Sequence, residues 1–181
     1  MKWMIASDIH GSAYYCRKML EAYDREGADR LLLLGDILYH GPRNDLPEEY
    51  APKQVLAMLN EQKDRILCVR GNCDGEVDQM VLQFPILADY SIFPVGNRLI
   101  YATHGHGYNT AHLPPLCPGD ILLHGRIRIG IIAMRIIVII EMERKSYRSV
   151  LAELYIFKMN IAANESPIAF FVLISYSPLL R

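Results

Sequence analysis

The stretch RLLLLGD at 30–36 constrains this fold more than any other. Four consecutive leucines leave no polar face, so a strand built from them is buried on both sides and belongs inside a covered sheet. Ahead of it, WMIAS at 3–7 is another short apolar run, and 11–27 carries Met19, Leu20 and Tyr23 at helical spacing before a glycine stop. After it, PEEYAPKQVLAMLN at 47–60 reads as a capped helix, and RILCVRGN at 65–72 is a third apolar run. Three βα units in succession predict an α/β fold, with helices covering a central sheet. Beyond Asp74 the strands shorten, as in NRLIYATHG at 97–105 and DILLHG at 120–125, and Pro-containing loops such as HLPPLCPG separate them. A chain of 181 residues is long enough for one domain with a sizeable core.

Composition narrows the functions. A net charge of -1 argues against a general affinity for nucleic acid or an anionic membrane. The longest apolar run, 130–140, is broken by Arg135 and falls short of the ~18 residues a membrane span needs. Cys16, Cys68, Cys73 and Cys117 form no C-x-x-C pair, and MKWMIASDIH turns polar too soon for a secretory signal. The expectation is a cytoplasmic protein with reduced thiols.

Chemistry collects where the apolar runs end. Asp8 and His10 follow the first run, and strand alternation places both side chains on one side of the chain. Asp36 closes the second run after Gly35, Asn72 the third after Gly71, and His104 follows LIYAT. An ordinary turn residue would account for Asp36 or Asn72 taken alone. In an open α/β sheet, however, ligands bind at the carboxyl ends of the strands, where residues remote in sequence converge.

The ordered set SDIHGS, LLLLGDILYHGPRN, VRGNCDGEVDQM and ATHGHG resembles the calcineurin-like metallophosphoesterase family, over residues 1 to about 125. That resemblance implies a β-sandwich flanked by helices and the hydrolysis of a small phosphodiester. Asp8 and His10 would hold one ion, Asp36 would bridge two, and Asn72 with His104 would hold the second. Manganese suits such a mixed carboxylate, amide and imidazole set. Cys73 stands where many relatives carry a histidine that protonates the leaving group; it is either a poor substitute for that acid or a small buried filler. Asp74 would orient a ligand through a hydrogen bond. His40 and Arg43, on the loop after Asp36, would meet a phosphate oxygen or simply be solvated, while His106 and His112 read as structural or exposed. Some members of this fold family are non-catalytic binding scaffolds; retention of Asp8, His10, Asp36, Asn72 and His104 argues against that alternative. Oligomeric state leaves no mark in the sequence.

The resemblance then stops. The family closes its site with G-H-x-H, whereas Gly125 here is followed by Arg126, Ile127 and Arg128. Arginine stays protonated and cannot ligate a metal. All six histidines and all ten aspartates precede Arg126, and residues 126–181 hold 12 isoleucines and a single glycine. Charge changes at the same place, from 11 Lys+Arg against 16 Asp+Glu before it to 8 against 4 after it. Two readings account for the break. Either 126–181 is a frameshifted or foreign tail on an incomplete metallophosphoesterase domain of residues 1–125, or it is a diverged segment. Codons CGC ATA CGC ATA for Arg-Ile-Arg-Ile would spell His-Thr-His one base earlier. Lacking turn residues, the tail is expected to pack poorly and not to return strands to the sheet.

Overall fold

A computed structural model describes residues 2–42, 44–125, 135–141, 154–156 and 175–176. The first sheet contains β1 (Lys2–Ser7), β2 (Arg30–Leu33), β3 (Ile66–Cys68), β7 (Arg135–Glu141) and β8 (Leu154–Ile156), in the order β3-β2-β1-β7-β8. Its first three strands are parallel, and β7 and β8 add to the far edge of β1 in antiparallel fashion. The second sheet contains β4 (Tyr90–Val95), β5 (Arg98–Thr103), β6 (Ile121–His124) and β9 (Ser175–Tyr176), in the order β4-β5-β6-β9.

Alternation along β1 and β2 builds two cores. Met4, Ala6, Leu31 and Leu33 face α1 (Ala13–Glu26) and α2 (Pro52–Glu61), packing on Cys16, Met19, Tyr23, Val55 and Leu59. Trp3, Ile5, Leu32 and Leu34 face the second sheet and meet Ile100, Ala102 and Leu123. The Leu31–Leu34 run is thus buried on both faces, as four adjacent leucines require, and each such side chain contributes about 1.5–3 kcal/mol by leaving water. The architecture is the expected mixed α/β one: a helical layer, a sheet, and a second sheet.

Local chemistry sets the helix ends. Ser12 caps α1 by accepting from the Tyr15 N–H at 3.2 Å, and Gly27 ends it in the left-handed region at φ 58°. The helix expected from residue 47 begins at Pro52 instead, because proline suits the first turn and pushes the residue before it out of helical geometry. Residues 48–51 are used otherwise. Tyr50 forms a bridge with Ser12, Ala51 N–H donates to Gly11 at 2.8 Å, and Ala13 N–H donates to Glu49 at 3.0 Å, strapping this segment across the start of α1.

Two elements carried no clear sequence signal. The helix α3 (Glu76–Val81) is only six residues long, and edge strand β4 contains Pro94. The expectation that no strand returns from the tail is overturned: β7 pairs with β1 from Lys2↔Glu141 to Ser7↔Arg135, β8 pairs with β7, and β9 pairs with β6. An unpaired edge on β1 is a row of free backbone donors and acceptors, and the β-branched run at 136–140 is suited to fill it.

Candidate metal centre

The carboxyl ends of β1, β2, β3 and β5 bring Asp8, His10, Asp36, Asn72 and His104 together, although β5 lies in the other sheet. Asp8 and His10 do not converge by strand alternation as expected, because β1 already ends at Ser7. Both sit in the left-handed region, at φ 60° and 49°, as does Asp36 at 56°. For residues with a Cβ such a conformation costs roughly 1–2 kcal/mol, and here the loop contacts impose it. The Asp8 N–H donates to Gly35 at 3.0 Å, and the His10 N–H donates to the Asp36 carbonyl at 2.9 Å.

Glycine permits the close approach of these turns. A Cβ on Gly71 would lie 2.1 Å from Asp36 Oδ1, and one on Gly35 would lie 2.2 Å from the Gly71 nitrogen. Asp74 then staples the two loops: its carboxylate accepts from the N–H groups of Asp36, Ile37 and Gly71 at 2.8, 2.8 and 2.7 Å. Burial pushes the Asp74 carboxyl above its ordinary pKa, against the pull of those donors. Its contact is with the backbone at Asp36, not with the Asp36 carboxylate.

Proton bookkeeping shows what the cluster lacks. His10 Nδ1 lies 2.7 Å from the Tyr39 carbonyl and His104 Nδ1 lies 2.7 Å from the Leu34 carbonyl. A carbonyl only accepts, so each Nδ1 carries the hydrogen and each neutral Nε2 is a bare lone pair. His10 Nε2 points at Asp8 Oδ1 (3.4 Å) and Asp36 Oδ2 (3.6 Å), and His104 Nε2 at Asp36 Oδ2 (3.4 Å) and Asn72 Oδ1 (3.2 Å). Acceptors facing acceptors in a buried site call for a cation or for extra protons. Burial opposes a proton on His10, but Asp8, the Tyr39 carbonyl and Asp36 outweigh it and hold its pKa above the ordinary value. Burial likewise pushes Asp8 up, yet the neighbouring His10, His104 and Ser7 bring it below its ordinary value.

The donor atoms intermingle more than two separate ligand sets would suggest. Asp8, Asp36 and His104 offer atoms within 4.8 Å of one another, and so do His10, Asp36 and Cys73. Cys73 therefore faces the centre and is not a core filler. Its N–H donates to Asp36 Oδ1 at 2.7 Å, and burial together with the Asp36 charge pushes its thiol up to about 12. His40 is packed between the rings of Tyr39 and Tyr50, with centroids 5.0 and 5.1 Å away, which corrects its reading as a solvated loop residue. Arg43 lies outside the described residues. His106 is half-buried beside His104, at 5.6 Å between ring centroids, and exposed His112 is held to the Gly107 carbonyl.

Sequence reasoning missed Ser7 and the carbonyls of Leu34 and Tyr39, which hold the side chains of Asp8, His104 and His10. A backbone carbonyl leaves no trace in side-chain identity. Ser7 was in view, next to Asp8.

Comparison with known proteins gives the family. The sequence profile of the Calcineurin-like phosphoesterase family matches residues 1–168. Phosphodiesterase YfcE of Escherichia coli strain K12 is 45% identical over 135 residues, 75% of this chain and 73% of that protein, and the O157:H7 homologue matches equally. The solved structure of Yfce, a phosphoesterase from E. coli, superposes with a TM-score of 0.65 at 48% identity, over 66% of this chain and 66% of that one.

Proposed function

The chain belongs to the calcineurin-like phosphoesterase family of hydrolases, and we propose that it is a metal-dependent phosphodiesterase acting on a small phosphodiester in the cytoplasm. The cluster around Asp36 Oδ2 carries this reading, because the Nε2 atoms of two imidazoles, the oxygens of two carboxylates and an amide oxygen are turned toward one another within 3.6 Å of a neighbour. Asp8, His10, Asp36, Asn72 and His104 would hold two divalent ions, with Asp36 shared. Manganese fits the mixture of oxygen and nitrogen donors. When bound, such ions supply the Lewis acidity that neutralises the diester and the charge developing at phosphorus.

The protein's own groups define the rest. The Leu34 and Tyr39 carbonyls keep both histidines in the tautomer that presents Nε2. Asp74 holds the Asp36 turn in place, and the Cys73 N–H fixes Asp36 Oδ1 so that Oδ2 faces the histidines. A thiol held at about 12 gives up its proton poorly at neutral pH, so diesters with good leaving groups, which need no general acid, are favoured. The Arg43 guanidinium is proposed to pair with a phosphate oxygen. Because Arg126 and Arg128 stand where the resemblance calls for two further histidines, metal affinity and turnover are proposed to be weak.

The test is calorimetric titration of the metal-free protein with Mn²⁺, followed by hydrolysis of bis-p-nitrophenyl phosphate. Weak, saturable binding and slow Mn²⁺-dependent turnover are expected. A folded protein that binds no Mn²⁺ at millimolar concentration would refute the reading.

A further inference from the structure

Ser7 has no part in the ligand set, yet its position is unusual. It is the last residue of β1 and is fully buried. By alternation it shares the face of Trp3 and Ile5, the face that packs on the second sheet. There it meets Gly125, the first residue after β6, whose own N–H donates to the His104 carbonyl at 3.1 Å. A Cβ on Gly125 would lie 2.1 Å from Ser7 Oγ and 2.7 Å from Ser7 Cβ, so the hydroxyl rests directly against the glycine backbone. The two sheets are in contact at this point, beside the metal centre.

From that socket the Ser7 hydroxyl donates to Asp8 Oδ2 at 2.7 Å, while Asp8 Oδ1 faces His10 Nε2 at 3.4 Å. Asp8 needs such a restraint, because in its left-handed conformation the pleat of β1 no longer aims its side chain. We infer that Ser7 is a positioning residue: wedged between Gly125 and Asp8, its hydroxyl occupies one carboxylate oxygen of Asp8 and turns the other to the metal position. The inference rests on the metal centre proposed above. It also gives Gly125 a physical role, since any side chain there would displace the hydroxyl.

The experiment compares Mn²⁺ affinity by calorimetry in the parent, Ser7→Ala, Asp8→Ala and the double variant, with the melting temperature in EDTA as the check on folding. Ser7→Ala is expected to melt within a few degrees of the parent and to bind Mn²⁺ about tenfold more weakly, the usual loss when a group behind a ligand is removed. For bis-p-nitrophenyl phosphate, kcat should fall while KM holds. In the Asp8→Ala background the serine change should cost nothing further, because Ser7 acts through Asp8. Should Ser7→Ala not fold, Ser7→Cys keeps a larger and weaker donor at the same place and should show a smaller loss of the same kind. Parent-like Mn²⁺ affinity in Ser7→Ala, or an equal loss in the Asp8→Ala background, overturns the inference and leaves the metal centre standing. A parent that binds no Mn²⁺ overturns both.

Discussion

Asp36 carries more of the site than any other side chain. Its Oδ1 is taken by the Cys73 N–H, its Oδ2 faces both histidines, and its own N–H is held by Asp74. Asp36→Ala should therefore abolish whatever Mn²⁺-dependent hydrolysis of bis-p-nitrophenyl phosphate the parent shows, and unchanged turnover would be fatal to a shared-ligand role. His10 makes a second prediction, about pH. Its pKa is raised in the folded protein by Asp8, the Tyr39 carbonyl and Asp36 acting against burial, so without metal it stabilises the fold fully below about 6.5 and loses that contribution as pH rises through the folded value. Metal binding needs the neutral ring, so Mn²⁺ affinity should rise over the same window. Melting curves in EDTA should decline above pH 6.5 while calorimetric affinity climbs; parallel trends would show that His10 is not the group in control. All five proposed ligands were legible in the sequence, since each follows an apolar run. The carbonyls that set the imidazole tautomers were not, because they belong to Leu34 and Tyr39 only by virtue of the backbone path.

Among the elements, the glycines separate ordinary turn chemistry from site construction. Gly27 ends α1 with φ 58° and nothing within 4 Å of an added Cβ, so Gly27→Ala should cost about 1 kcal/mol of stability and leave Mn²⁺ affinity unchanged. Gly71→Ala places its Cβ 2.1 Å from Asp36 Oδ1 and 2.3 Å from the Asp36 nitrogen. Overpacking of this kind costs about 1–3 kcal/mol and here must move the proposed ligand Asp36. Denaturant melts with parallel Mn²⁺ titrations should show the second variant losing metal affinity out of proportion to its stability. Equal affinities in the two variants would deny the loop contact any part in shaping the site. The strands β1, β2, β5 and β6 and the helix α1 were readable from hydropathy and stops. Both α3 and β4 were not, as six residues interrupted by exposed apolar side chains, or by a proline, carry too little periodic signal.

At the scale of the whole molecule the change of composition at Arg126 meets a family match that continues to residue 168. Strands β7, β8 and β9 join both sheets, while Arg126 and Arg128 themselves lie outside the described residues. Arg126→His with Arg128→His replaces two cations by two neutral donors in sequence positions next to the centre. It should tighten Mn²⁺ binding by about tenfold or more and recover diester hydrolysis only in part, because a ligand must be held to within roughly half an ångström by its surroundings. Grafting a family-like segment after Gly125 should recover more. A double variant as active as an intact relative would show that the tail does no harm to the site. The nucleotide sequence over codons 125–130 decides separately whether His-Thr-His stands in another frame.

By itself the sequence determined that the first 74 residues alternate buried strands with covering helices, and that the apolar runs at 3–7, 31–34, 66–69 and 99–103 are followed closely by an aspartate, asparagine or histidine. Those properties are local: they depend on apolar runs, on glycine stops and on which residue comes next. Tertiary structure alone decided that Asp8, His10 and Asp36 turn left-handed, that β7 fills the open edge of β1, and that Ser7 is held against Gly125. Each outcome is a contact between segments far apart in the chain, such as His104 with the Leu34 carbonyl 70 residues earlier or Gly125 with Ser7 across the two sheets. No local pattern encodes such a pairing, because it exists only once the sheet order has brought the strand ends side by side.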